Sequence, residues 1–67
     1  MSIVERVAAR IKAIREQRGM TQEQLASKAG VTRGYLARVE TARHEPTLSM
    51  LERLAKALRV KVSRLVE

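Results

Sequence analysis

An all-α fold, a compact bundle of about five short helices, follows from three features of this sequence. Apolar residues recur at three- and four-residue intervals, the period of a helix with one buried face. A Ser or Thr stands just ahead of four of these stretches, at Ser2, Thr21, Thr32 and Thr47, where a helix N-cap belongs. No segment alternates strictly between apolar and polar residues, as a half-buried strand would.

The first helix runs from about Ser2 to Arg18. Ser2-Ile3-Val4-Glu5 has the capping-box pattern, in which the serine and the glutamate three residues on satisfy each other's backbone N–H groups. Ile3, Val4, Val7, Ile11 and Ile14 form its apolar stripe, and Gly19 is the stop at C′. Thr21 to Gln24 repeats the capping box. A second helix therefore starts at Thr21 and ends near Ala29, with Leu25, Ala26 and Ala29 on one face. Gly30 takes the positive φ of the turn that follows, where a side chain would be strained. Thr32 caps a third helix that reaches Glu40 or Thr41 and turns Leu36 and Val39 inward. Ala42 to Pro46 is loop, because Pro46 restricts Glu45 to extended geometry. Thr47 caps a fourth helix with the stripe Leu48, Leu51, Leu54, Ala55 and Leu58. A short last helix, about Val62 to Val66, offers Leu65 and Val66. Residues 1–67 are expected to make one domain with a limited core, of a size often supported by oligomerisation.

Composition narrows the function. With no cysteine and a single histidine, His44, neither a disulfide framework nor a Cys- or multi-His metal site is expected, and no cofactor is implied. No apolar run reaches the roughly 18 residues of a membrane span. The start, MSIVERVAAR, carries charges inside its apolar pattern and does not read as a signal peptide. A soluble, cytoplasmic protein is the expectation. Fourteen Lys and Arg stand against seven Asp and Glu, for a net charge of +7. Such an excess attracts polyanions: nucleic acid first, an anionic membrane surface second, an acidic protein third. One Tyr, with no Trp or Phe, cannot build the stacking platforms of single-strand binders. Duplex reading by a helix needs no aromatics, so double-stranded DNA is favoured. An enzyme has little support, because His44 has no nucleophile partner and there is no Gly-rich phosphate loop.

Three segments, RGMTQEQLASKAGV, TRGYLARVE and EPTLSMLERLAKAL, together resemble the Cro/repressor-type (xenobiotic-response-element-like) helix-turn-helix family. The similarity runs from about Val7 to Val66. It implies a lambda-repressor-like DNA-binding domain whose helix-turn-helix spans about 21–41, and a sequence-specific transcriptional regulator. The third helix, about Thr32 to Glu40, is then the recognition helix, with its N-terminal residues toward base edges. The base contacts implied are Thr32, Arg33, Gly34 and Arg38. Arginine suits guanine because its fork matches O6 and N7 together. The phosphate contacts implied are Gln22 at the start of the second helix, Tyr35 through its hydroxyl, and Arg43 in the following loop, with Thr41 and His44 nearby. Arg15 and Glu40 match a structural ion pair of the family. Most other basic residues, including Arg10, Arg53 and Arg59, read as solvated helix faces.

The chain departs from the family pattern at three positions. Ala42 and Arg59 stand where glycine is common, and Lys61 where Ser or Asp is common, so a different C-cap after the third helix and an altered last turn are expected. A homodimer through the C-terminal helices is expected, alone or only on DNA, with Met50, Val62, Leu65 and Val66 as apolar candidates. No small-molecule ligand and no membrane partner are expected. The competing reading is a protein-interaction module, such as an antitoxin that binds an acidic protein.

Overall fold

The computed structural model describes all of residues 1–67 as five helices joined by short turns. They are α1 (Ile3–Gln17), α2 (Gln22–Ala29), α3 (Arg33–Glu40), α4 (Leu48–Leu58) and α5 (Ser63–Val66). Ser2 and Thr21 both close complete capping boxes, with Glu5 and Gln24. The Thr32 and Thr47 hydroxyls accept the Tyr35 and Met50 backbone N–H groups at 3.0 and 3.1 Å. Four starts read from sequence are thus fixed by local side-chain chemistry.

The four longer helices also end alike. After each, a residue with φ between +60° and +72° lets the chain double back: Gly19, Gly30, Ala42 and Arg59. The next N–H then bonds to a carbonyl five residues earlier, as Met20 to Arg15, Val31 to Ala26, Arg43 to Arg38, and Val60 to Ala55. This is the Schellman closure. The different C-cap expected at Ala42 is not found: the chain keeps the left-handed geometry with alanine, and again with Arg59. The hydrogen bonds of the closure outweigh the Cβ strain. The last helix is a single turn whose N-cap, Val62, supplies no side-chain hydrogen bond. Buried Leu65 anchors it instead.

α1 packs on α3, α4 and α5, while α2 packs on α3 and α4. Every helix contributes to the innermost layer: Ile11, Leu25, Leu36, Val39, Leu54, Leu58 and Leu65 are all less than 2% exposed. Full burial of such a side chain contributes about 1.5–3 kcal/mol. Three stripe residues fall outside, Val4 being only half-buried. Ile3 is 56% exposed and Leu48 77%, each in the first turn of its helix. Ala8, outside the expected stripe, is buried. Leu65 belongs to the core, which removes it from the expected dimer surface; Met50, Val62 and Val66 are half-buried.

The one ion pair of the molecule joins α1 to α3. Arg15 Nε donates to Glu40 Oε2 at 2.7 Å and Nη2 to Oε1 at 3.1 Å, a fork-on-carboxylate geometry. The remaining Arg15 nitrogen, Nη1, donates to the Met20 carbonyl at 2.8 Å, and Gln22 Nε2 donates to Glu40 Oε1 at 3.0 Å. The side chains of Arg15 and Glu40 are 10% and 2% exposed. Hydrogen bonding to Glu40 holds the Arg15 guanidinium above its usual pKa.

Glu40→Ala strands the buried Arg15 charge and is expected to destabilise by about 3–5 kcal/mol. That is comparable to the whole stability of so small a core. Thermal unfolding followed by circular dichroism measures it, and an unchanged Tm would contradict the account. Conversely, Arg59→Gly relieves a Cβ in the left-handed region. A gain of about 0.5–1 kcal/mol is expected after glycine's own entropy is subtracted, raising Tm by several degrees.

Candidate nucleic-acid interface

The inward face of α3 holds Leu36, Val39 and Glu40. Helical geometry therefore sends Thr32, Arg33, Gly34 and Arg38 outward, and all four are exposed. Thr32 Oγ1 accepts the Tyr35 N–H as an N-cap, which leaves the hydroxyl proton free to be donated elsewhere. Gly34 and Arg38 lie one turn apart on the same face. A Cβ built at Gly34 would meet only the Arg38 Nη1 atom, at 3.8 Å, an ordinary contact. Nothing within the molecule thus requires glycine at this point of the helix.

Arg33, Arg38 and Arg43 find no hydrogen-bond or ion-pair partner within the molecule. Their guanidinium forks are available to an outside anion or base edge. Arg33 borders a shallow concavity together with Arg15, Thr21, Gln22 and Glu23, so the starts of α2 and α3 face the same space. The Gln22 amide, oriented by its bond to Glu40, keeps one N–H and its carbonyl unspent.

Tyr35 differs from its neighbours on α3. Its ring packs against the core and meets the His44 ring edge-on, with centroids 5.0 Å apart and planes at 66°. Its hydroxyl is buried and has no hydrogen-bond partner. Burial raises the phenol pKa above its ordinary value, against the opposing pull of Arg38 and Arg53. Arg43 and His44 are exposed in the loop after α3. Thr41 is exposed too, but its hydroxyl donates to the Ala37 and Arg38 carbonyls and so serves the end of α3.

Sequence reasoning missed a second use of arginine. Arg53 Nε and Nη2 donate to the Ala29 and Gly30 carbonyls at 3.0 and 2.8 Å. Arg18 Nε donates to the Leu58 carbonyl at 3.1 Å, and Arg10 Nη1 to the Arg64 carbonyl at 3.3 Å. Each satisfies acceptors orphaned at a helix C-terminus, where a cation also complements the helix dipole. Arg10 and Arg53 are therefore not simply solvated. Their spacing carries no signal for this, since their partners lie 54 and 23–24 residues away.

A helix-turn-helix family profile matches residues 11–65. Over 60 residues the chain is 53% identical to the immunity repressor protein of Bacillus phage phi105, covering 90% of this chain and 42% of that one. It is 39% identical to the control protein C.SmaI of Serratia marcescens, over 98% of this chain and 79% of the relative. The chain thus spans less than half the length of the phage repressor. Among solved structures, the restriction-modification controller protein C.AhdI from Aeromonas hydrophila superposes with a TM-score of 0.90 at 29% identity, covering 92% and 94% of the two chains. A hypothetical transcription factor, NHTF, from Neisseria superposes at 0.95 with 32% identity, over 98% of this chain and 76% of the other.

The open space at Gly34 yields a direct test. Gly34→Ala is expected to stabilise the free protein by about 1 kcal/mol, the ordinary propensity difference inside a helix. Thermal melts of the two proteins measure it. A lower Tm for the variant would mean that α3 needs the glycine for its own packing.

Proposed function

The chain belongs to the Cro/repressor-type helix-turn-helix family of DNA-binding transcriptional regulators, and from that premise we propose that it reads a two-fold duplex operator through α3. The observation that carries this reading is the outward face of α3, where Arg33 and Arg38 stand unpaired around a glycine that the fold itself does not require. Thr32, Arg33, Gly34 and Arg38 are the proposed base-reading set. Gly34 brings the helix backbone close to the base edges, and the arginine forks read guanine, each worth about 1–3 kcal/mol of discrimination. Gln22 and Arg43 are the proposed phosphate contacts that set the register. Tyr35 joins them only if its ring turns its buried hydroxyl outward as the backbone approaches.

One α3 reads only a few base pairs, and a two-fold pair placed about 34–36 Å apart reads two half-sites. The proposed dimer surface is the open apolar groove of about 290 Å³ lined by Ile3, Val4, Pro46, Leu48, Leu51 and Val66, among others. It accounts for the exposure of Ile3 and Leu48, which a second copy would cover. The protein is proposed to act in the cytoplasm as a free or DNA-bound dimer. No helix is long and apolar enough to cross a membrane.

Selection from random duplex DNA tests the reading. Enrichment of an inverted repeat with guanines in each half-site is expected, and no duplex affinity at low salt would overturn it. On the selected site, Arg38→Ala should relax preference at one position per half-site. Arg43→Ala should instead weaken binding to all sequences evenly and lower the salt slope by about one for each phosphate left unneutralised.

A further inference from the structure

The turn between α2 and α3 is gripped from outside. Ala29 and Gly30 end α2, and Thr32 opens α3 two residues later. The helix leaves the Ala29 and Gly30 carbonyls without partners, and the Arg53 fork from α4 takes both, at 3.0 and 2.8 Å. The third nitrogen, Nη1, rests on the Met50 sulfur at 3.9 Å, within the same helix as Arg53. All three nitrogens of the guanidinium are occupied by the molecule itself. This sets Arg53 apart from Arg33, Arg38 and Arg43, whose nitrogens are free.

Gly30 is matched to this grip. Its φ of +72° already favours glycine, but asparagine is also tolerated in that region. A Cβ at Gly30, however, would push the end of the Arg53 side chain out of the place where Nη2 now meets the Gly30 carbonyl. Gly19 has nearly the same φ, +68°, and a Cβ there would meet nothing within 4 Å. One glycine therefore serves conformation alone, and the other serves conformation and the access of an arginine.

We propose that Arg53 is a positioning residue for DNA recognition, which fixes the angle at which α3 leaves the turn by holding the Ala29 and Gly30 carbonyls, and that Gly30 is required to admit it. The inference rests on the reading of α3 as the recognition helix. Arg53 holds the end of α2, two residues before the Thr32 cap of α3, while the Arg15–Glu40 pair holds the end of α3 itself. Three of its five N–H groups are used within the protein, and Arg53 need touch no phosphate to act this way.

The test uses the full chain and the duplex selected above, with a scrambled duplex of equal length as the non-specific probe. Arg53→Ala, Arg53→Lys, Gly30→Asn and the control Gly19→Asn are each compared with the wild type at a temperature where circular dichroism shows them folded. Arg53→Ala and Gly30→Asn are expected to lose about tenfold or more in operator affinity, because an α3 no longer preset at its angle must be ordered on the DNA. Non-specific affinity and salt slope should stay as in the wild type, and Gly19→Asn should bind normally. Arg53→Lys keeps the charge but not the fork and should behave as Arg53→Ala. The double variant Arg53→Ala/Gly30→Asn should bind no worse than Gly30→Asn, because both remove one grip.

Equal weakening on both duplexes, with a lower salt slope for Arg53→Ala but not Arg53→Lys, would make Arg53 a phosphate contact and overturn the proposal. A fall in Tm with unchanged operator affinity would leave Arg53 a packing residue and overturn it as well. A wild type without duplex affinity would instead overturn the DNA reading itself.

Discussion

A carboxylate withdrawn from water at the end of α3 has to be matched, and the rest of the molecule is arranged around that requirement. Glu40 is 2% exposed at its side chain and receives three hydrogen bonds, two from Arg15 and one from Gln22. Those bonds fix three separate pieces of chain: the last turn of α1, the first residue of α2 and the last residue of α3. The third donor group of Arg15 holds the Met20 carbonyl and so fixes the turn between α1 and α2. An arginine fork from α1 thus holds the end of α3, and one from α4 holds the turn that closes α2. The apolar core supplies cohesion, and these forks supply direction.

Seven of the arginines fall into two groups by use. Arg10, Arg15, Arg18 and Arg53 donate to carbonyls inside the molecule, and Arg15 also to Glu40. Arg33, Arg38 and Arg43 hold nothing within it. The first set takes carbonyls that the helix caps and closures leave unbonded. The second stands on one helix and the loop that follows it, where an external polyanion can be met. Lysine could serve the long-range attraction, but a single ammonium does not reproduce a fork that spans two adjacent carbonyls.

Most of the fold was legible because its signals are local. Ser2, Thr21, Thr32 and Thr47 announce helix starts through bonds that close within three residues, and Gly19 and Gly30 announce stops in the same way. The family pattern supplied the Arg15–Glu40 pair, which no periodicity reveals across 25 residues. What the sequence hid is non-local or a matter of edges. Arg53 sits on the polar side of α4 and looks solvated until the turn at Ala29–Gly30 is brought beside it. Ile3 and Leu48 follow the apolar period yet face outward, because periodicity gives the face of a helix and not whether a neighbour covers its first turn. Leu65 shows the reverse: a terminal residue that looked available to a partner is fully buried.

Two of the four helix closures are made without glycine, at Ala42 and Arg59. Strain of this kind leaves the native contacts intact and acts on the balance between folded and unfolded chains. Each kilocalorie it removes multiplies the unfolded fraction about fivefold, and that fraction is what cellular proteases clear. Neither residue belongs to the proposed base-reading set. At Arg59, which closes α4 and not α3, the protein can therefore change its lifetime, and with it its steady-state abundance, while leaving the reading helix untouched. For a regulator whose occupancy of DNA follows its concentration, such a position sets the dose independently of the message.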